Sequence, residues 1–168
     1  TEVHTDEAEA SRCAGLGWSL FRRGDQTGAQ QAFSRVLTLE TGVADACDGL
    51  GWSRFRESRL EDAEMAFRRA VALDGFFADS WDGLGWCALA MQKPEEARRH
   101  FAMAVLCAPL FADAWQGIAM TSAEGPMKQV AMAASTFLKT KLSLSAQFTS
   151  SRVLLCWLWF FLGVVWHS

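Results

Sequence analysis

The sequence is short of the residues that usually carry chemistry. Its three histidines, His4, His100 and His167, have no nucleophile or carboxylate partner at a defined spacing. Five cysteines (Cys13, Cys47, Cys87, Cys107, Cys156) form no CxxC pair and no pairing with histidine at ligand spacing, which leaves neither a zinc site nor a redox motif supported. They read instead as small buried hydrophobes in a reducing compartment. No glycine-rich phosphate loop occurs, because the Gly-Leu-Gly triplets lie inside a helical pattern and link no strand to a helix. Paired acids such as Glu61-Asp62 and Glu95-Glu96 fall where second helices start, and negative charge there favours the helix dipole. No enzyme, metal or cofactor is expected. A signal peptide is also missing, since TEVHTDEAEASR is polar and acidic. The opening threonine fits removal of an initiator methionine or cleavage of a longer precursor equally well.

Acidic residues are absent after Glu124. Twelve bases face all nineteen acids before residue 126, whereas Lys128, Lys139, Lys141 and Arg152 have no acid after them. The overall charge of -3 therefore conceals an acidic body and a basic end. Such a body argues against nucleic acid as a partner, because phosphate binding needs a basic stripe that survives counterion competition.

What the chain does have is a repeat. AGLGWSLF at 14–21 returns as DGLGWSRF at 48–55 and DGLGWCAL at 82–89, a period of 34 residues. Cys13, Cys47, Trp81 and Trp115 fall in register. So do Leu16, Leu50, Leu84 and Ile118, and Gly17, Gly51, Gly85 and Ala119. Later in each unit come Ala29, Ala63 and Ala97, then Phe33, Phe67 and Phe101, then Val36, Ala70 and Ala104. Apolar residues recur at three and four, as at Ala63, Phe67, Ala70 and Val71, which is helical periodicity. Each unit is thus two helices, in the second unit near 44–57 and 60–73. Breaks are expected at Arg23-Gly24-Asp25, Thr41-Gly42, Asp74-Gly75, Gln92-Lys93-Pro94 and Ala108-Pro109. Pro94 suits a helix start and Pro109 a position just past a helix end.

Trp81, Leu84, Gly85, Ala97, Phe101, Ala104 and Pro109 carry a resemblance to the tetratricopeptide repeat, which covers about residues 10–124. It implies an all-α solenoid of about three and a half helix-turn-helix repeats, and the hydrophobic C-terminal segment would add a further helix. The expected divisions are a tail at 1–9, the array at 10–125, a degenerate capping helix at 126–142, a basic Ser/Thr-rich linker at 143–152 and the hydrophobic helix at 153–168. The glycines should let paired helices approach closely, with Ala29, Ala63 and Ala97 facing them and the phenylalanines filling the gap toward the next unit. The aromatic that usually follows Leu-Gly by three is replaced by Leu20, Arg54 and Ala88. Phe21, Phe55 and Leu89 stand one place later and shift apolar bulk to another face.

The resemblance also implies that first helices line a concave groove, into which the residue after Leu-Gly points. That place holds Trp18, Trp52 and Trp86, with Met120 in the fourth unit. Along the same face lie Asp48, Asp82 and Gln116, and Phe21, Phe55 and Leu89. Asp45, Asp79 and Asp113 are expected near the groove mouth, and Arg22 and Arg56 near its far edge. Such an aromatic, acid-rimmed groove suits a partner protein segment with apolar anchors and basic flanks, for which the tryptophans would serve as anchors and Asp48 and Asp82 as orienting charges. The bland alternative is that the tryptophans only pack successive first helices together.

Beyond Gly125-Pro126 the register weakens, with Ala131 and Leu138 in place but Ser135 where Phe belongs. The run VLLCWLWFFLGVVW at 153–166 is free of charge, yet at ~1.5 Å per residue it covers only about 21 Å of a ~30 Å hydrocarbon core. Trp157, Trp159, Phe160, Phe161 and Trp166, with the bases on one side only, point to a membrane. A helix apolar all round needs an enclosure. Three are open: a short membrane anchor, a partner protein, or the array's own groove. A spanning helix would put the repeats on the cytoplasmic side; otherwise the protein is expected in the cytoplasm. The expectation is a non-enzymatic interaction scaffold, tethered at its C-terminus to a membrane. The alternative is a structural subunit of a larger membrane complex.

Overall fold

A computed structural model describes residues 2–39 and 43–145, and among these are eight helices and no strand. In chain order they are α1 (Glu2–Arg23), α2 (Gln26–Leu39), α3 (Ala44–Arg56), α4 (Leu60–Leu73), α5 (Ala78–Ala90), α6 (Pro94–Cys107), α7 (Ala112–Thr121) and α8 (Pro126–Ser145). Each odd helix pairs with the even helix after it. The odd helices also pack on one another in sequence, whereas the even helices stand further apart, α4 and α6 being joined by the Arg68–Glu96 ion pair at 3.5 Å. The odd row is therefore the tighter, inner face of a solenoid and the even row its outer face.

The turns inside the pairs explain where the odd helices stop. Gly24, Ser58 and Gln92, spaced by the repeat, all have left-handed backbone, with φ of 87°, 60° and 61°. After each, the backbone N–H of Asp25, Arg59 or Lys93 donates to the carbonyl of Leu20, Arg54 or Ala88 at 2.9–3.0 Å, which satisfies a carbonyl the helix end leaves open. Pro94 then starts α6, where its missing N–H costs nothing. Between units, Trp81 and Trp115 fasten the turn by donating Nε1–H to the carbonyls of Gly75 and Pro109 at 2.9 and 2.8 Å. Cys13 and Cys47, in the same register, have no such donor.

The core is a row of shared phenylalanines. Phe33, Phe67 and Phe101 are fully buried, each worth about 2–3 kcal/mol of apolar burial. Each ring lies between two glycines on successive inner helices: Phe33 between Gly17 and Gly49, Phe67 between Gly51 and Gly83, Phe101 between Gly85 and Gly117. A Cβ at any of the six glycines would come within 3 Å of the ring. The glycines thus face the phenylalanine, and the second glycine of each pair, in Asp-Gly-Leu or Gln-Gly-Ile, seats the ring of the preceding unit.

Two boundaries differ from expectation. Residues assigned to a tail at 1–9 continue α1 back to Glu2, because Ala10 is buried and Arg35 on α2 holds Glu9 at 2.9 Å. The capping helix runs to Ser145, three residues into the expected linker, and buries Ala131, Ser135 and Leu138. Arg54, in a place usually aromatic, is half-buried and donates from Nη1 to the carbonyl of Asp62 at 3.2 Å. The Thr41-Gly42 break and the hydrophobic segment 153–168 lie outside the described residues. No described helix is long and apolar enough to cross a membrane.

Candidate functional site on the inner face

Most of the expected groove residues lie on the odd helices, at the same places in successive units. Trp18, Trp52 and Trp86 recur one unit apart, all half-buried. Each meets the buried phenylalanine of its own unit edge to face, with centroids 5.1–5.2 Å apart. Phe21 and Phe55 add a second edge contact to Trp18 and Trp52 at 5.7 and 5.8 Å. Each indole therefore packs against a core ring on one side and keeps part of its surface exposed. Met120, in the fourth unit, is 57% exposed.

The acids divide into two tiers. Asp45 accepts Trp18 Nε1–H at 3.0 Å, linking the first two units. Asp113 is exposed, and Asp79 is exposed as a residue while its carboxyl is partly enclosed. Asp48 and Asp82, expected as orienting charges, are instead only 2% exposed, because they lie between successive inner helices. Burial pushes each of their carboxyls up to about 7, and neighbouring aspartates push the same way. Asp79 is also raised, mainly by burial.

Asp48 and Asp82 are alike in sequence and unlike in partners. Asp48 accepts the hydroxyl of Ser80 at 2.6 Å. In register with Ser80, the next unit has Ala114, so Asp82 has no hydroxyl to meet. Trp86 Nε1 donates to Asp82 Oδ2 at 3.0 Å, and Oδ1 is buried without a partner.

Arg22 is exposed at the far edge. Arg56 is not spread into the groove. Its guanidinium lies 3.8 Å above the Phe21 ring and donates to the Phe21 carbonyl at 3.0 Å, clamping the first unit to the second. Sequence reasoning missed Lys139. From α8 it reaches the inner face, pairs with Asp113 at 3.0 Å and donates to the Gln116 side chain. Its position as the first base past the Phe-to-Ser substitution was the available signal. Ser80 was also legible, as a hydroxyl in a column otherwise formed by Arg12, Ala46 and Ala114.

Elsewhere, His100 stacks on Trp81 at 5.7 Å, and burial lowers its pKa. No group of three potential metal ligands occurs among the described residues. Cys13, Cys47, Cys87 and Cys107 are free thiols, and burial pushes Cys87 up to about 12, which makes it a poor nucleophile.

No protein-family model matches the chain, and no curated protein does. Solved structures match its shape. MamA superposes with a TM-score of 0.66 at 22% identity over 87% of this chain and 85% of that one. The first tetratricopeptide domain of Spaghetti (RPAP3), bound to the HSP90 peptide SRMEEVD, gives 0.65 at 19% identity over 68% and 90%. The second such domain of human RPAP3, in complex with the HSP70 peptide SGPTIEEVD, gives 0.64 at 18% over 73% and 99%. The chain has the tetratricopeptide-repeat fold.

Proposed function

We propose that this tetratricopeptide array is a protein-interaction scaffold that takes a partner segment along its inner face. The observation that carries the reading is the column of half-buried Trp18, Trp52 and Trp86. Large rings fixed by packing on one side and open on the other give contact area at little entropic cost. The rim sets the charge. Asp45, Asp79 and Asp113 attract a segment with lysine or arginine beside its apolar anchors. The peptides held by the two RPAP3 domains end in Glu-Glu-Val-Asp. An aspartate-rimmed strip repels such an ending, so this array selects the opposite charge. Phe55 and Gln116 complete the strip.

Titration of the full chain with paired peptides of equal apolar content, one basic-flanked and one ending in Glu-Glu-Val-Asp, tests the reading. The basic peptide should bind with an affinity that falls as salt rises, and Asp79→Lys with Asp113→Lys should reverse the preference. Preference of the unaltered chain for the acidic peptide, or loss of neither after both substitutions, would remove the assignment.

The charge-free run at 153–166 supports a second part of the reading, tethering of the array to a membrane or membrane complex with the repeats on the cytoplasmic side. Flotation with liposomes followed by alkaline wash checks this. The full chain should float and a version ending at Ser151 should not; equal behaviour of the two would dismiss the tether.

A further inference from the structure

The three indoles of the inner helices stand in one register, yet each N–H is answered differently. Trp18 donates Nε1–H to Asp45 on the next inner helix at 3.0 Å, and Trp86 donates to Asp82 on its own helix, also at 3.0 Å. Trp52 does neither. Asp48, one turn back on its helix, accepts the hydroxyl of Ser80 instead. Asp79, which stands to Trp52 as Asp45 stands to Trp18, forms no hydrogen bond with it, and among the described residues the Trp52 N–H has no acceptor. The enclosed polar atoms without a partner, among those residues, belong to Gln26, Arg54 and Asp82, so the Trp52 nitrogen keeps contact with solvent.

The aspartates in the first turns of the inner helices sort in the same way. Asp45 is taken by Trp18, and Asp113 by Lys139 at 3.0 Å. Asp79 has no partner from another side chain among the described residues, and its carboxyl is met by its own backbone N–H. An unanswered indole N–H and an unpaired carboxylate therefore fall at the two places that are joined one unit earlier, on the joint where α3 packs against α5. A neutral donor and an anionic acceptor on one joint ask for a carbonyl and a cation.

We infer that Trp52 and Asp79 form the specificity centre of the inner face: Asp79 holds one lysine or arginine of the partner segment, and Trp52 Nε1–H donates to a carbonyl of the same segment. This rests on the proposed use of the inner face and narrows its charge selection from three aspartates to one. An incoming base at Asp45 or Asp113 has to compete with Trp18 or Lys139, whereas at Asp79 it displaces no side chain. The partly enclosed carboxylate is also less screened by salt than a fully exposed one. Every peptide carries a carbonyl, so Trp52 adds affinity for any sequence and Asp79 does the discriminating.

Calorimetric titration of the full chain with the blocked peptide ALFKLFA, and with its counterpart in which norleucine replaces the lysine, tests both roles. The unaltered chain should prefer the lysine peptide about fivefold. Asp79→Asn should abolish that preference, and Asp45→Asn and Asp113→Asn should keep it. Trp52 exchanged for benzothienylalanine, which keeps the ring shape and lacks the N–H, should weaken both peptides about threefold or more and leave their ratio unchanged. Thermal melting should show Asp79→Asn as stable as the unaltered chain, since no other side chain depends on that carboxylate. A preference that survives Asp79→Asn, or that Asp113→Asn removes equally, overturns the inference and leaves the inner face as the binding surface. Unchanged affinity with benzothienylalanine overturns the role given to Trp52. Failure of the unaltered chain to bind either peptide overturns the inference together with the reading it rests on.

Discussion

A buried carboxylate with one unsatisfied oxygen is expensive, and Asp82 has one where Asp48 does not. The difference traces to one hydroxyl, Ser80 against Ala114. Ala114→Ser should give Asp82 the missing donor and raise stability at pH 7.5 by about 1 kcal/mol, while Ser80→Ala should lower it by about 1–3 kcal/mol. The pH dependence follows from the same residues. Folding raises both carboxyls from 3.8 to about 7, so between those values the folded chain holds protons that the unfolded chain has released. Their contribution is fully favourable below pH about 4 and is lost as pH rises through about 7. Urea melts from pH 4 to 8 should show this fall, and Asp82→Asn should remove part of it; a pH-independent share for Asp82 would refute the sign. The sequence placed both aspartates on the inner helices correctly. Their burial was not legible, because depth between two adjacent inner helices depends on curvature and not on register.

At the scale of elements, the helices were largely legible because period and packing agree. The second unit's pair, expected at 44–57 and 60–73, is found at Ala44–Arg56 and Leu60–Leu73. α1 was read too short, since Glu and Ala residues give a helix no punctuation and the Glu9–Arg35 pair joins separate helices. The turns were placed, but their handedness was signalled by glycine only at Gly24. Ser58 and Gln92 adopt the same left-handed backbone with side chains that disfavour it. Ser58→Gly and Gln92→Gly should each stabilise the array by about 0.5–1 kcal/mol in spite of glycine's greater freedom when unfolded. Thermal denaturation of the single and double variants checks the expectation, and a drop in melting temperature would count against it.

For the whole molecule, the uneven distribution of charge was plain in the sequence, but what it does was not. The acidic array draws one base of the C-terminal segment onto itself, Lys139 on Asp113, so an exposed ion pair is added to the packing of Ala131 and Leu138 in the helix whose predecessors are fastened by phenylalanine. No spacing rule announces such an addition. The phenylalanine seats have a wider consequence. Each ring is donated by one sequence unit and enclosed half by that unit and half by the next. The indivisible piece in space is offset from the piece that repeats along the chain, so a block of 34 residues copied or deleted at any phase restores an intact joint at the new junction. An array built this way tolerates unequal exchange of its coding segments, and its length is free to change without a new core being invented.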